Sequence, residues 1–99
     1  MNDWQERVEK WARDRNLIEG STPAKQLEKL NEEVGELYEG IAYSSLADSR
    51  DAIGDICVVL CVIAKQLGLS FEDCLESAWD EIKDRRGKMV DGIFVKEAT

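Results

Sequence analysis

The chain has 99 residues, of which 43% are hydrophobic and 34% charged, a composition typical of one globular domain, which we expect to span residues 1–99. Acidic residues outnumber basic ones 21 to 13, and the resulting net charge of −8 disfavours a nucleic-acid partner, which calls for a basic face. The sequence contains no histidine, which excludes Ser-His and Cys-His nucleophile pairs and leaves oxygen ligands for any metal site.

The first half of the chain predicts two amphipathic helices. The spacing i, i+4, i+7 of Trp4, Val8 and Trp11 predicts a first helix over residues 3–15. Thr22-Pro23 is typical of an N-cap followed by proline at the first helical position, so a second helix is predicted over residues 23–42. The apolar stripe of this second helix consists of Leu27, Leu30, Val34, Leu37 and Ile41.

The second half predicts two more helices. The third runs over residues 46–67 and closes at Gly68. Ser70 and an acid three residues later resemble a capping box that opens the fourth helix, which we expect Gly87 to close.

The C-terminal tail differs from the rest of the chain. Asp91-Gly92 is a hairpin turn signal between apolar residues, so residues 89–95 predict a short β-hairpin or an extended arm. The predicted fold class is therefore all-α, a four-helix bundle with this short appendage.

The third predicted helix has an unusually apolar centre. Residues 56–64 are nine consecutive apolar residues, about half the length that spans a bilayer. Cys57 and Cys61 lie inside this run, where they are expected to be reduced core residues. The N-terminal residues lack the pattern of a signal peptide. We therefore expect a cytoplasmic protein with no membrane partner.

The same run predicts an oligomer. One side of the third helix can pack on its own chain, so the face with Val58, Val59 and Val62 is expected to meet a second copy. The expected assembly is at least a dimer, and a tetramer is the preferred expectation.

Carboxylates cluster on the second and third helices. Glu33 and Glu36 share the flank that borders the core of the second helix, a pattern that also suits a solvated acidic surface. Asp51 and Asp55 lie in line with the apolar face of the third helix, where unpaired carboxylates are costly. Two helices that each offer acids one turn apart could supply the oxygen ligands of Mg²⁺.

Four segments carry a resemblance to a known family. They are KLNEEVGEL at residues 29–37, DAIGDI at 51–56, EIKDRRGK at 81–88 and DGIFVKE at 91–97. Together they closely resemble the MazG-like nucleotide pyrophosphohydrolases. The resemblance implies an all-α enzyme that uses Mg²⁺, with Mn²⁺ as a second option, to hydrolyse (d)NTPs between the α and β phosphates. It also implies dimers or dimers of dimers, and a role in nucleotide-pool house-cleaning.

The resemblance also assigns roles to the acidic residues. It implies that Glu33, Glu36 and Asp55 bind metal and that Glu32 is the first acid of the motif. A carboxylate not fully used on metal could orient the attacking water as general base, and the candidates are Glu32 and Glu33. Ala52 stands where the family has a further metal-binding glutamate. Asp51, one turn before Asp55, either replaces that missing ligand or is an ordinary acid at a helix start.

Basic residues provide the substrate contacts in this interpretation. Lys83 and Arg86, expected one turn apart near the end of the fourth helix, are either candidates for phosphate binding or ordinary basic residues that favour a helix C-terminus. Lys29 is a weaker candidate for phosphate binding. Asp80 stands where relatives often have an asparagine that touches the nucleotide. Trp79 either stacks a base or packs at a helical interface.

A second class of function remains open from the sequence. The absence of an acid at Ala52 is also compatible with a non-catalytic acidic helical bundle that serves as an interaction module.

Overall fold

A computed structural model describes the backbone of residues 3–97 and their side chains from Trp4 onward. The chain forms four α-helices and then a two-stranded antiparallel hairpin, which confirms the predicted fold class. The elements are α1 (Asp3–Asp14), α2 (Pro23–Ala42), α3 (Leu46–Gln66), α4 (Phe71–Ile82), β1 (Gly87–Val90) and β2 (Ile93–Lys96).

Hydroxyl side chains fix where the last three helices begin. The side-chain oxygens of Thr22, Ser45 and Ser70 each accept a hydrogen bond from the backbone N–H three residues later, at 3.1–3.2 Å. Each bond satisfies a donor that the first helical turn leaves without a partner. The N-cap predictions at Thr22 and Ser70 are therefore confirmed.

The predicted end of the fourth helix is wrong. The helix stops at Ile82, and Gly87 begins β1 instead, where it pairs with Lys96. A side chain at Gly87 would collide with the carbonyl oxygen of Val95 and the ring of Phe94. Glycine is thus needed here for the close approach of two strands, and it does not act as a helix terminator.

The core is built around α3. This helix packs against α2 and α1, and five of its side chains are among the buried hydrophobic residues. These core residues are Ala12, Ala52, Val59, Cys61, Val62 and Ala64. Most are small, so the helices approach closely and the apolar volume that the chain encloses is modest.

Two sequence predictions about α3 are wrong. Val59 and Val62, expected at an interface between copies, are buried within the chain, with Val62 only 2% exposed. Cys57, expected in the core, is exposed, whereas Cys61 is buried and its burial raises the pKa of its thiol. Periodicity shows that α3 is apolar on several faces, but it does not show which face the chain itself covers.

Two glutamines hold the outer helices in place. The Gln5 side chain accepts a hydrogen bond from the backbone N–H of Glu72 at 2.6 Å and donates one to Ser70 Oγ at 3.1 Å. Gln66 Nε2 on α3 donates to the carbonyl oxygen of Leu17 at 3.1 Å. These bonds tie α1 to the start of α4, and they tie the loop after α1 to the end of α3.

Within residues 3–97, no helix is by itself long and apolar enough to cross a bilayer. Helices α3 and α4 meet that criterion only when counted as a pair, and the pair is bent by 100°.

Replacing two glycines of α2 with alanine is expected to have opposite effects on stability, because only one of them lies where α2 meets α3. A Cβ at Gly40 would lie 2.8–3.3 Å from Ser49 Oγ, N and Cα, whereas one at Gly35 would meet nothing within 4 Å. We expect Gly40→Ala to lower the free energy of unfolding by about 1–3 kcal/mol through overpacking. Gly35→Ala should raise it by about 0.5–1 kcal/mol, since alanine favours a helix interior.

Urea denaturation followed by circular dichroism measures both changes. A Gly40→Ala protein as stable as Gly35→Ala would show that α2 and α3 are not in contact at this point.

Candidate metal centre

Three carboxylates from two helices converge where α2 faces α3. Glu33 and Glu36 lie one turn apart on α2, and Asp55 lies opposite them on α3. One ligand oxygen from each residue lies within 4.8 Å of the others. The structure thus brings together the three acids to which the sequence resemblance assigns metal binding.

Glu33 is the unusual member of this cluster because its residue is only 4% exposed. Its Oε1 accepts a charged hydrogen bond from Lys29 Nζ at 3.2 Å, and its Oε2 is buried without a hydrogen-bond partner. A buried carboxylate oxygen without a partner is costly, and a cation would remove that cost. With the two neighbouring carboxylates, this oxygen forms a donor set of the kind that hard divalent cations prefer.

The electrostatics of the cluster point the same way. A protonated Glu36 can donate a hydrogen bond to Glu33, and this bond, together with the negative charge of Glu33, raises the pKa of Glu36. Burial, followed by the charge of Glu33, raises the pKa of Asp55. The hydrogen bond to Glu33 also raises the pKa of the Lys29 ammonium group. The raised pKa values of Glu36 and Asp55 indicate that the carboxylates repel one another, and a cation among them would offset that repulsion.

Asp51 lies beside this cluster but is not one of its three members. It is exposed and lines an open cavity of about 320 Å³, together with other acids at the end of α2 and the start of α3. The residues around this cavity are Glu36, Glu39, Gly40, Tyr43, Asp48, Asp51 and Asp55. Ala52 is buried between the helices and contributes no ligand.

Glu32 is exposed and lies outside both this cavity and the cluster. Its carboxylate is 3.9 Å from Lys29 Nζ, so Lys29 contacts both acids that the sequence proposed as general bases.

Three of the predicted substrate contacts, Asp80, Lys83 and Arg86, lie at the end of α4 and just after it. Lys83 Nζ is 3.3 Å from Asp80 Oδ1, and both side chains are exposed. Because α4 ends at Ile82, the expectation that Lys83 and Arg86 lie one helical turn apart is wrong. None of these three polar residues lines the acidic cavity, or the cavity that adjoins the cluster on the side of α1.

A second cavity, of about 440 Å³, adjoins the cluster on the side of α1. Glu33 and Asp55 form part of its wall, and the rest is largely apolar. Its lining residues are Trp11, Leu17, Gln26, Lys29, Glu33, Asp55, Val58, Val59 and Val62. Gln26 was not predicted from the sequence to belong to a site, and Trp11 was predicted only as part of an apolar stripe. Glu39 was not predicted either, although it follows Glu36 by one turn.

Comparison with known proteins identifies a related family. A protein-family model described as "Phosphoribosyl-ATP pyrophosphohydrolase" matches residues 2–85. That family has the all-α nucleotide pyrophosphohydrolase type of fold found in MazG-like proteins, so the resemblance seen in the motifs is confirmed.

The chain is also similar to a phage protein. It is 52% identical over 59 residues to an uncharacterized 18.2 kDa protein from the rep-hol intergenic region of Haemophilus phage HP1 (strain HP1c1). The match covers 60% of this chain and 36% of the relative, so the chain spans only about a third of the length of the curated relative it matches. No solved structure matches the chain.

The raised pKa values of Glu36 and Asp55 predict how stability depends on pH. In the metal-free protein these acids bind protons at higher pH in the folded chain than in the unfolded one. Their repulsion therefore destabilises the fold at pH 7, and the free energy of unfolding should rise as the pH falls from 7 toward about 5. Saturating Mg²⁺ should abolish this rise, because the cation takes the place of the protons.

The measurement is urea denaturation at several pH values with Mg²⁺ or with EDTA. Glu36→Gln should flatten the metal-free pH profile, whereas Glu28→Gln, an exposed change on the same helix, should leave it as in the unmodified chain. A metal-free profile unaffected by Glu36→Gln would contradict the assignment of the repulsion to this cluster.

Proposed function

We propose that this chain, which belongs to the phosphoribosyl-ATP pyrophosphohydrolase family, hydrolyses (deoxy)nucleoside triphosphates between the α and β phosphates. The products are a (deoxy)nucleoside monophosphate and pyrophosphate, and Mg²⁺ is the proposed ion. The observation that carries the proposal is the buried, unpartnered Oε2 of Glu33 within reach of Glu36 and Asp55. Family membership supports nucleotide pyrophosphohydrolase activity in general. The choice of substrate and the role in cytoplasmic nucleotide house-cleaning rest on the resemblance of the motifs.

The chemistry requires a cation between protein and substrate. A triphosphate carries about four negative charges, so a carboxylate cluster attracts it only when cations intervene. Glu33, Glu36 and Asp55 would hold Mg²⁺, which supplies polarisation of the α-phosphate and charge neutralisation for the leaving pyrophosphate. Lys29, which lines the larger cavity beside Glu33, provides a positive charge for a phosphate oxygen.

Glu33 is better placed than Glu32 to orient the attacking water. A general base must lie within hydrogen-bond reach of the proton that it removes. Glu33 belongs to the cluster, whereas Glu32 is exposed on the outside of α2 and paired with Lys29. We assign one oxygen of Glu33 to the metal and the other to water, with Lys29 as the group that positions the carboxylate.

Asp51 is the proposed fourth ligand. It lies one turn before Asp55 and lines the acidic cavity with Asp55 and Glu36. Because it is exposed, its carboxylate can rotate toward a cation at the cluster, which would compensate for the missing acid at Ala52.

The non-catalytic interaction module is the second candidate. The observation that favours it is the buried alanine at position 52, where the resemblance implies a metal-binding glutamate. Pyrophosphate release from a dNTP panel distinguishes the two candidates.

We expect Glu36→Gln to lower turnover of the preferred dNTP by at least about 100-fold, since it removes a metal ligand while retaining a side chain of similar shape. Asp51→Asn should instead raise the Mg²⁺ concentration needed for half-maximal rate about tenfold. The assay measures pyrophosphate release with and without Mg²⁺, with circular dichroism as the check on folding. The same Mg²⁺ dependence in Asp51→Asn and the unmodified chain would make Asp51 only a helix-start acid.

We further propose that the chain assembles as a dimer or tetramer. Its radius of gyration is 15.9 Å, compared with about 13 Å for a compact domain of this length. Within the described residues, the apolar face of α4 is largely uncovered, since Leu75 is 59% and Trp79 57% exposed. A second copy would bury this face. It would also bring Lys83 and Arg86 toward the site of a neighbouring subunit.

Leu75→Glu should therefore shift the protein toward monomer in sedimentation at micromolar concentration while leaving its helical circular dichroism unchanged, since Leu75 is exposed in the single chain. Glu76→Gln, the adjacent exposed change on α4, should leave the assembly intact. An unmodified chain that sediments as a monomer would refute the assembly.

A further inference from the structure

The larger cavity beside the metal centre has the features of a site for an organic ligand. It lies between α1, α2 and α3, and its volume of about 440 Å³ is within the range of small-molecule sites. Its walls carry an aromatic ring and aliphatic side chains, and an amide and a lysine are its polar groups apart from the carboxylates. Such sites typically combine an apolar wall with a few polar contacts that fix orientation.

The position of this cavity restricts what it can hold. Glu33 and Asp55 belong both to its wall and to the carboxylate cluster. A ligand whose phosphates are held through a cation at the cluster would therefore place its other end in the cavity. In a nucleotide, that other end is the base.

Trp11 is suited to stack such a base. The Arg15 guanidinium lies over its indole ring, 4.7 Å from the ring centroid, and Arg15 Nη1 donates a hydrogen bond to the Trp11 carbonyl oxygen at 3.1 Å. These contacts hold the ring in place with one face covered, and the ring also lines the cavity. Stacking on a fixed aromatic ring suits every nucleobase, since each has a π face.

Gln26 provides a polar contact in the same cavity. Its Nε2 donates a hydrogen bond to Ser21 Oγ at 3.0 Å, which holds the amide at the cavity wall. An amide offers both a donor and an acceptor to the edge of a base.

From these contacts we infer that the cavity is a nucleobase site, in which Trp11 stacks the base and Gln26 contacts its edge. The inference rests on the proposed function, because the cluster must hold the phosphates for the base to reach the cavity. It makes Trp11, and not Trp79, the residue that binds the base.

The chain provides a matched control on the same helix. Trp4 lies two turns before Trp11 and carries an arginine, Arg7, at the same distance of 4.7 Å from its ring, but it does not line the cavity. Trp11→Ala should raise the KM for dNTPs about 5- to 100-fold, the effect of losing one stacked base, while Trp4→Ala should not. Trp11→Phe should recover most of the loss. Inorganic tripolyphosphate, which has no base, should inhibit all of these proteins at the same concentration.

A fluorescence measurement keeps the test valid if Trp11→Ala fails to fold. In a Trp4→Phe, Trp79→Phe protein, Trp11 is the sole indole. The α,β-methylene analogues of dNTPs, added with Mg²⁺, should quench its emission, and tripolyphosphate should not. Equal quenching by both ligands, or an unchanged KM in a folded Trp11→Ala protein, would overturn the inference and leave the proposed function standing.

Failure of the proposed function can also be distinguished from failure of the base site. If the protein hydrolyses no triphosphate, the proposed function fails, and the fluorescence measurement alone decides on the base site. Quenching by the nucleotide analogues then supports the site, and absence of quenching refutes it.

Discussion

The interaction on which the structure depends most is the burial of a carboxylate between two helices. Glu33 is nearly inaccessible, and only one of its oxygens is satisfied, by Lys29. Burying charge without a full set of partners opposes folding, so the packing of α2 on α3 must offset that cost. The close approach at Gly40 and the small residue Ala52 permit this packing. The burial of Glu33 thus lowers the stability of the metal-free fold, and a cation bound at the cluster would remove that cost.

A small core accompanies this arrangement. Helix α3 supplies most of the buried apolar residues, while many large side chains on α2, α4 and the hairpin stay exposed. Exposed apolar patches of this kind mark surfaces that meet another protein, so the distribution supports the proposed assembly. In that assembly, Lys83 and Arg86, which follow α4, would approach the carboxylates of a neighbouring chain.

Local patterns in the sequence predicted the helix starts and the faces that carry the acids, because N-caps and helical angles depend on residues within one or two turns. The choice of Glu33, Glu36 and Asp55 among those acids came from the family resemblance. The end of α4 was not predictable in this way. Gly87 was expected to close the helix but begins a strand paired with Lys96, and that pairing is a contact between segments. The burial of Val59 and Val62 within the chain was not predicted for a similar reason. Helix α3 is apolar on several faces, and tertiary packing determines which of them the chain itself buries. Trp11 fitted an apolar stripe, and only the structure shows that it faces a cavity.

The bond between Gln5 and the start of α4 has a consequence for the order of folding. It joins residues 67 positions apart, whereas α2 and α3 are linked by a turn of a few residues. Contacts between distant segments carry a larger entropic cost of chain closure, so they form late and open first. We expect hydrogen exchange to be slow in α2 and α3 and fast in α4. The last helix would then open first, while α2 and α3 stay packed around the carboxylate cluster.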